Sequence, residues 1–230
     1  MNLCAALTLS AAALATGISS IRACKSYMDL SFAVPLKQLE ESSTGGGDKI
    51  GEPVYSVVTG FIDPEESLVN KYSDEPSAMT AIKVTGFEGY TPPVLLDCLI
   101  VAKDLAINTQ YGPVIVKDAN QLNVDWSYER YRSLDSSDLP TTQPSTSVSM
   151  LSVKSITPGY YTLFADVSTD EYGRVIARKP TSGREFYLTY ENRDAVLLKN
   201  WRNTAFGFTA TACLAFAASY FFSRRLPRKL

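Results

Sequence analysis

Twenty residues near the C-terminus, Thr204–Ser223, contain no Asp, Glu, Lys or Arg. As an α-helix such a run rises about 30 Å, the thickness of a bilayer hydrocarbon core. Trp201 precedes it, Tyr220, Phe221 and Phe222 close it, and Arg224, Arg225, Arg228 and Lys229 follow. Interfacial aromatics and a basic stop are the pattern of a membrane-crossing helix. A buried core helix is the alternative, and it would show a polar face. The reading is a transmembrane helix over 204–223 with a basic tail over 224–230.

A second uncharged run, Leu3–Ile21, opens the chain, with Arg22 and Lys25 after it. It is Ala-rich and only mildly apolar. A secretory signal peptide places its basic residues ahead of the apolar run, and here they come behind it. A retained membrane helix over 3–21 is the favoured reading. A cleaved signal peptide and an Arg-poor organelle presequence are the alternatives.

Between these runs lie about 180 residues, enough for one or two small domains with a real core. This middle, taken as 28–203, carries all 24 acidic residues, Asp29 to Asp194, against 16 of the 22 basic ones, an excess of 8 negative charges. Such a domain is unsuited to holding nucleic-acid phosphates, and no nucleic-acid partner is expected. The remaining basic residues stand where lipid headgroups would be. Cys4, Cys24, Cys98 and Cys213 are scattered and form no disulfide framework.

Histidine is absent. Ser-His-Asp and Cys-His catalysis therefore lack their base, and four scattered cysteines do not make a zinc site. No GxxxxGK[ST] or GxGxxG motif occurs, and the run STGGGDK at 43–49 reads as a flexible linker. Glu65 with Glu66 and Asp74 with Glu75 are adjacent carboxylates beside Pro64 and Pro76. Adjacent turn residues stay solvated, whereas acid–base catalysis needs two carboxylates in different environments. Cys98 lies among Leu and Ile and reads as a buried thiol. No catalytic residue, cofactor or metal is expected. The aromatic group Trp126, Tyr128 and Tyr131 is the candidate partner-binding feature, and plugging a core is its plainer explanation.

Residues 52–62, 80–90 and 111–119 read as strands, rich in Val, Ile and aromatics. Residues 94–107 read either as a strand pair or as a buried helix. The clearest hairpin is 160–167 with 173–180 about the turn STDEY, and 184–190 adds a third strand. A Ser/Thr/Pro stretch, 140–149, is a loop that divides the middle. Residues 28–42 read as a short helix or turn, and 191–201 as a helix leading into the second span, with Asn192 as its cap. The class is α+β: a β-rich domain between two terminal transmembrane helices.

Four stretches carry a family resemblance: VPLKQLEESSTGGGDKIGEPVYSVVTGFI, LNVDWSYERYRSL, YYTLFADVSTDEYGRVIARKPTSGREFYLT and LLKNWRNTAFGFTATACLAFAASYFF. Together they resemble the mitochondrial ubiquitin ligases of the GIDE (or MULAN) type and their plastid relatives. The middle of those proteins is the GIDE, or BAM ("beside a membrane"), domain. The resemblance implies a domain in the intermembrane space, both chain ends in the cytosol, and residence in the mitochondrial outer membrane or, alternatively, a plastid envelope. The basic tail fits that orientation, whereas Arg22 and Lys25 oppose it. The family ends in a RING finger that needs eight Cys/His ligands, and nothing beyond Cys213 here supplies them. The expectation is a non-catalytic, membrane-anchored module that binds a protein partner or substrate in ubiquitin-linked organelle organisation. Two alternatives stand beside it: a RING-type E3 ubiquitin transferase whose catalytic end lies outside this chain, and a structural subunit of an organelle membrane complex.

Overall fold

The computed structural model describes residues 2–36, 52–63, 77–87, 94–102, 105–126, 128–134 and 148–223. The protein is mixed α and β, with a strand-rich core and two terminal apolar helices. It divides into two compact units, the helices forming one and Ala33–Asn192 the other.

The helical unit consists of α1, Asn2–Ser31, and α2, Arg193–Ser223. Each runs on past its uncharged stretch, so the helix read from 191–201 and the apolar run after it are one continuous element. Of the predicted helix or turn over 28–42, α1 takes in Met28–Ser31, the two-residue strand β1, Val34–Pro35, follows, and residues 37–42 lie outside the described residues. Both helices are long and apolar enough to cross a membrane. Only 17% of the most apolar window of α1 and 6% of that of α2 is buried, which disposes of the core-helix alternative.

The β unit is built on a ring. β2 (Val54–Ile62) pairs with β10 (Gly159–Thr169) over nine antiparallel positions, from Val54 opposite Val167 to Ile62 opposite Gly159. β10 pairs with β11 (Val175–Arg178), β11 in parallel with β6 (Gly112–Val116), β6 with β5 (Leu105–Thr109), and β5 returns to β2. These pairings close a five-stranded barrel. Ordered along the chain, the ring neighbours run first, second, third, fifth, fourth and back to first, a Greek-key order. Closure removes the exposed edges that an open sheet must protect.

Alternation along the strands explains the barrel core. On β10, Tyr161, Leu163, Ala165 and Val167 are buried in one cluster with Val58 and Ile62 of β2, Ile107 of β5, and Val114 and Val116 of β6. Thr162, Phe164 and Asp166, the intervening residues, are buried on the opposite side of β10. Gly60 is required where β2 approaches β5, because a Cβ there would collide with the Asn108 carbonyl.

Residues inserted between ring strands make a second, four-stranded antiparallel sheet, ordered β4 (Val94–Ala102), β3 (Met79–Phe87), β9 (Val148–Ile156) and β8 (Tyr128–Leu134). Met79 and Ile156 join its end to the barrel core. On this sheet Lys154 and Glu129 face each other as a cross-strand ion pair at 2.9 Å. The described parts of the ambiguous stretch 94–107 are thus strand, β4 and the start of β5. Short pieces complete the unit: a 3₁₀ turn at Ala119–Gln121, β7 (Asn123–Val124), and β12 (Tyr187–Thr189), which pairs with both β10 and β7.

The turn in the predicted hairpin is held by one side chain. Asp170 Oδ1 accepts from the Tyr172 and Arg174 amides at 3.0 and 2.8 Å, and Oδ2 accepts from Arg174 Nε at 2.8 Å. Gly173 supplies the left-handed residue, with φ of 76°. Desolvation pulls the Asp170 carboxyl up, but the Arg174 and Tyr172 amides and the Arg174 guanidinium outweigh it and hold the carboxyl below its usual value. A lowered carboxyl contributes stability that is present above the ordinary carboxylate value, about 3.9, and is lost as pH falls through the lowered one. Asp170→Ala should therefore narrow the stability difference between neutral and acid pH. Thermal unfolding of both proteins across that range checks it.

Candidate functional site

The two helices of the helical unit are held together by contacts along their length. Tyr27 lies against Trp201 with ring centroids 5.8 Å apart, Ser20 against Gly207, and the Thr16 hydroxyl 3.0 Å from that of Thr211. Arg193 Nη2 donates to the Ser31 carbonyl at 3.2 Å. As position rises along α1 its partner's position falls along α2, so the helices are antiparallel. The buried seam is made of small residues seven apart: Ala6, Ala13 and Ser20 on α1, and Thr204 and Ala218, with Thr211 midway, on α2. A seven-residue repeat keeps one seam facing its partner along a left-handed helix pair. Small residues let backbones approach closely where lipid supplies no hydrophobic drive to association.

Hydroxyls in the uncharged runs bond back onto their own helix. Ser10 donates to the Ala6 carbonyl, Ser20 to Thr16, Thr204 to Asn200 and Ser219 to Ala215, all between 2.7 and 2.9 Å. Such pairing lets Ser and Thr sit in hydrocarbon without an unsatisfied donor. The outward faces carry exposed Leu7, Leu14, Ile18, Phe206, Phe208 and Phe216, the last 78% exposed. An apolar surface of this kind is stable against lipid or a partner rather than water.

The antiparallel register also aligns the charges. The uncharged runs lie side by side. In this register Lys25 of α1 comes level with Arg202 of α2, near the Tyr27–Trp201 pair and both exposed, while Arg22 lies about a turn toward the uncharged runs and Lys199 about a turn away from them.

In the β unit the aromatic group separates. Trp126 follows β7, is half-buried and packs against the core cluster. Tyr128 and Tyr131 belong to β8 of the second sheet, opposite Ser155 and Ser152 of β9. Glu65, Glu66, Asp74, Glu75 and the linker at 43–49 lie outside the described residues. Cys98 lies on β4 opposite Lys83 of β3. Among the described residues no group of three His, Cys, Asp or Glu is placed to hold a metal ion.

Beside Trp126, Asp125 anchors β7 to β12. Its Oδ2 accepts from the Tyr187 hydroxyl at 2.7 Å and from Thr189 Oγ1 at 3.2 Å, while its amide donates to the Leu188 carbonyl at 2.8 Å. Burial, and then the Asp125 carboxylate, push the Tyr187 phenol well above its ordinary value. The phenol is a fixed donor at physiological pH, which makes this a structural clamp. Tyr187→Phe should cost about 1.5–3 kcal/mol, the worth of one hydrogen bond to a charged group. A phenol raised on folding contributes stability that is complete below its ordinary value, about 10, and is lost as pH climbs beyond it. The variant should therefore lose less stability at alkaline pH, as chemical denaturation on both sides of that value would show.

An aromatic feature that sequence reasoning missed lies on the barrel wall. Phe61 and Tyr160 are opposite each other on β2 and β10 and meet edge to face at 5.3 Å, with Tyr160 73% exposed. Thr59 and Thr162 form the next rung, their hydroxyls 3.5 Å apart. Farther along this face Val57 and Phe164 are buried, and Phe164 stacks on Tyr187 at 6.3 Å. One end of the wall is covered and the other presents an open aromatic pair. No family model, curated protein or solved structure matches this chain.

Proposed function

We propose that the protein is a membrane-anchored binding module of the GIDE/BAM type. Its two helices cross an organelle membrane, and its barrel domain holds a protein partner or substrate on one side. The carrying observation is the antiparallel helix pair, with its small-residue seam and its apolar outward faces. The β unit, Ala33–Asn192, joins the hairpin where α1 ends and α2 begins. The open Phe61–Tyr160 wall supports a docking role, and Trp126, Tyr128 and Tyr131 are the second candidate surface. The excess negative charge of the middle favours a protein partner over a nucleic acid. The four stretches resembling GIDE-type proteins support the mitochondrial outer membrane, with the domain in the intermembrane space and a role in ubiquitin-linked organelle organisation.

Alkaline carbonate extraction and protease protection on isolated mitochondria test this. The reading expects the chain to stay in the pellet, a tag after Leu230 to be shaved from intact organelles, and residues 33–192 to resist protease until the outer membrane is opened. Release by carbonate would sink the membrane reading. A protected tag with an exposed domain would reverse the orientation. A second reading, a RING-type ubiquitin ligase with its zinc-binding segment outside these 230 residues, is favoured by the same resemblance. Sequencing the transcript past the Leu230 codon decides it: an open frame into spaced Cys and His supports the ligase, and a stop removes it.

A further inference from the structure

The register of the barrel strands sets four residues on one outward rung. Tyr160 of β10 is opposite Phe61 of β2, Phe61 is opposite Asn108 of β5, and Asn108 is opposite Pro113 of β6. Directly opposite residues share a face of the sheet. The alternate positions Ile62, Ile107, Val114 and Tyr161 are buried in the barrel core. Tyr160, Asn108 and Pro113 are exposed and Phe61 is half-buried. The rung is therefore a strip across four strands, with an edge-to-face aromatic pair at one end, an amide beside it and a proline at the other end.

No charged residue stands on this rung, although the middle of the chain is strongly acidic. On the same face of these strands the nearest charge is Asp63, two positions past Phe61. Such a strip suits a neutral ligand. Among the described residues nothing is bonded to the Asn108 amide group or to the Tyr160 hydroxyl, so both serve as outward donors.

The spacing of the donors selects the ligand. Asn108 and Tyr160 lie two strands apart, about 9.6 Å. A polyproline II helix repeats every three residues, about 9.3 Å, and its carbonyls have no partner of their own. Laid along the rung, it offers equivalent carbonyls to both donors and its pyrrolidine rings to Phe61 and Tyr160. An extended strand repeats about every 6.8 Å and an α-helix about every 5.4 Å, and neither matches. Because its conformation exists before binding, little ordering entropy opposes so small a contact.

We propose that this strip binds a proline-rich segment of a protein partner, held as a polyproline II helix across β10, β2, β5 and β6. The inference rests on the binding-module reading above and names the class of partner for its aromatic wall.

The test uses the full chain in lipid nanodiscs and a fluorescein-labelled proline decamer, followed by fluorescence anisotropy. The expected result is saturable binding that Tyr160→Ala weakens about five- to tenfold. Asn108→Ala should weaken it less, while Tyr172→Ala, at an exposed tyrosine of the β10–β11 turn, should leave it unchanged. Tyr160→Phe keeps the ring and loses the donor, so it covers the case in which alanine disturbs the barrel, and it should weaken binding about as much as Asn108→Ala. No saturation by the decamer, or equal binding by the Tyr160 and Tyr172 variants, overturns the proposal. Displacement of the labelled decamer by maltoheptaose at lower concentration than by unlabelled decamer would make the strip a saccharide platform and overturn it. Self-association that Tyr160→Ala abolishes would put a second copy of the chain on the strip and overturn it as well. The membrane-anchored reading fails separately, by release of the chain in alkaline carbonate.

Discussion

Gly60→Val should disrupt the barrel and lower the melting temperature of the β unit by about 6–12 °C. A Cβ at residue 60 would fall on the Asn108 carbonyl oxygen, with Ile107 Cγ2 at 2.8 Å and the Asn108 carbonyl carbon at 2.9 Å. Two of the three obstacles are backbone atoms of β5, so no rotamer change relieves the collision. Strand β2 must move away from β5, and that opens the ring at the junction where few pairings hold it. Phe61 opposite Asn108 is the one register pair between these strands. Overpacking of a core typically costs about 1–3 kcal/mol, and a clash with backbone belongs at or above the upper end. For a domain of this size about 3 kcal/mol corresponds to the stated shift. Thermal unfolding of the full chain in detergent, followed by near-ultraviolet circular dichroism, measures it. A shift under about 2 °C would mean that β2 and β5 are not in contact as described.

Gly207→Leu should separate the two helices. Here the obstacle is a side chain: an added Cβ would crowd Ser20 Oγ and lie 3.1 Å from Ser20 Cβ and 3.5 Å from its Cα. Alanine needs the Ser20 hydroxyl to turn, giving up its bond to the Thr16 carbonyl at 2.7 Å. Leucine also places branched carbons where the Ser20 backbone stands. The cost is about 1–3 kcal/mol, applied to a contact that small residues alone make close. Cysteines placed at 16 and 211, in a background with the four native cysteines replaced by serine, report the pairing through disulfide formation. The parent should cross-link efficiently, since the two hydroxyls are 3.0 Å apart. The Gly207→Leu protein should cross-link several-fold less. Equal cross-linking in both would remove Gly207 from the interface.

The local elements of the β unit were readable because each declares itself over a few residues. The turn STDEY between Val- and Ile-rich runs marks β10 and β11, and the apolar runs at 52–62 and 80–90 mark β2 and β3. Val94–Ile107 was ambiguous because a short continuous apolar run suits a buried strand and a buried helix equally. Cross-strand pairing of Thr80 to Val101 and Ile82 to Leu99 settles it as strand. The candidate site was less legible. Trp126, Tyr128 and Tyr131 look like one group along the chain, but Trp126 packs against the barrel core while the two tyrosines sit on a different sheet. Phe61 and Tyr160 are almost a hundred residues apart and become a pair only through the β2–β10 ladder.

The amino-acid sequence alone determined the two uncharged runs, the acidic middle and the absence of histidine. Through these it set the chemistry the chain can attempt: backbone groups in a run without charges are satisfied within a helix, and hydrophobicity over about twenty residues is a local property. Tertiary structure decided which surfaces face each other. It closed the barrel by pairing strands distant in the chain, placed Gly60 where only glycine fits, and set Lys25 of α1 level with Arg202 of α2. These outcomes depend on shape and register between segments whose separation carries no periodic signal, and so they emerge only when the chain has folded.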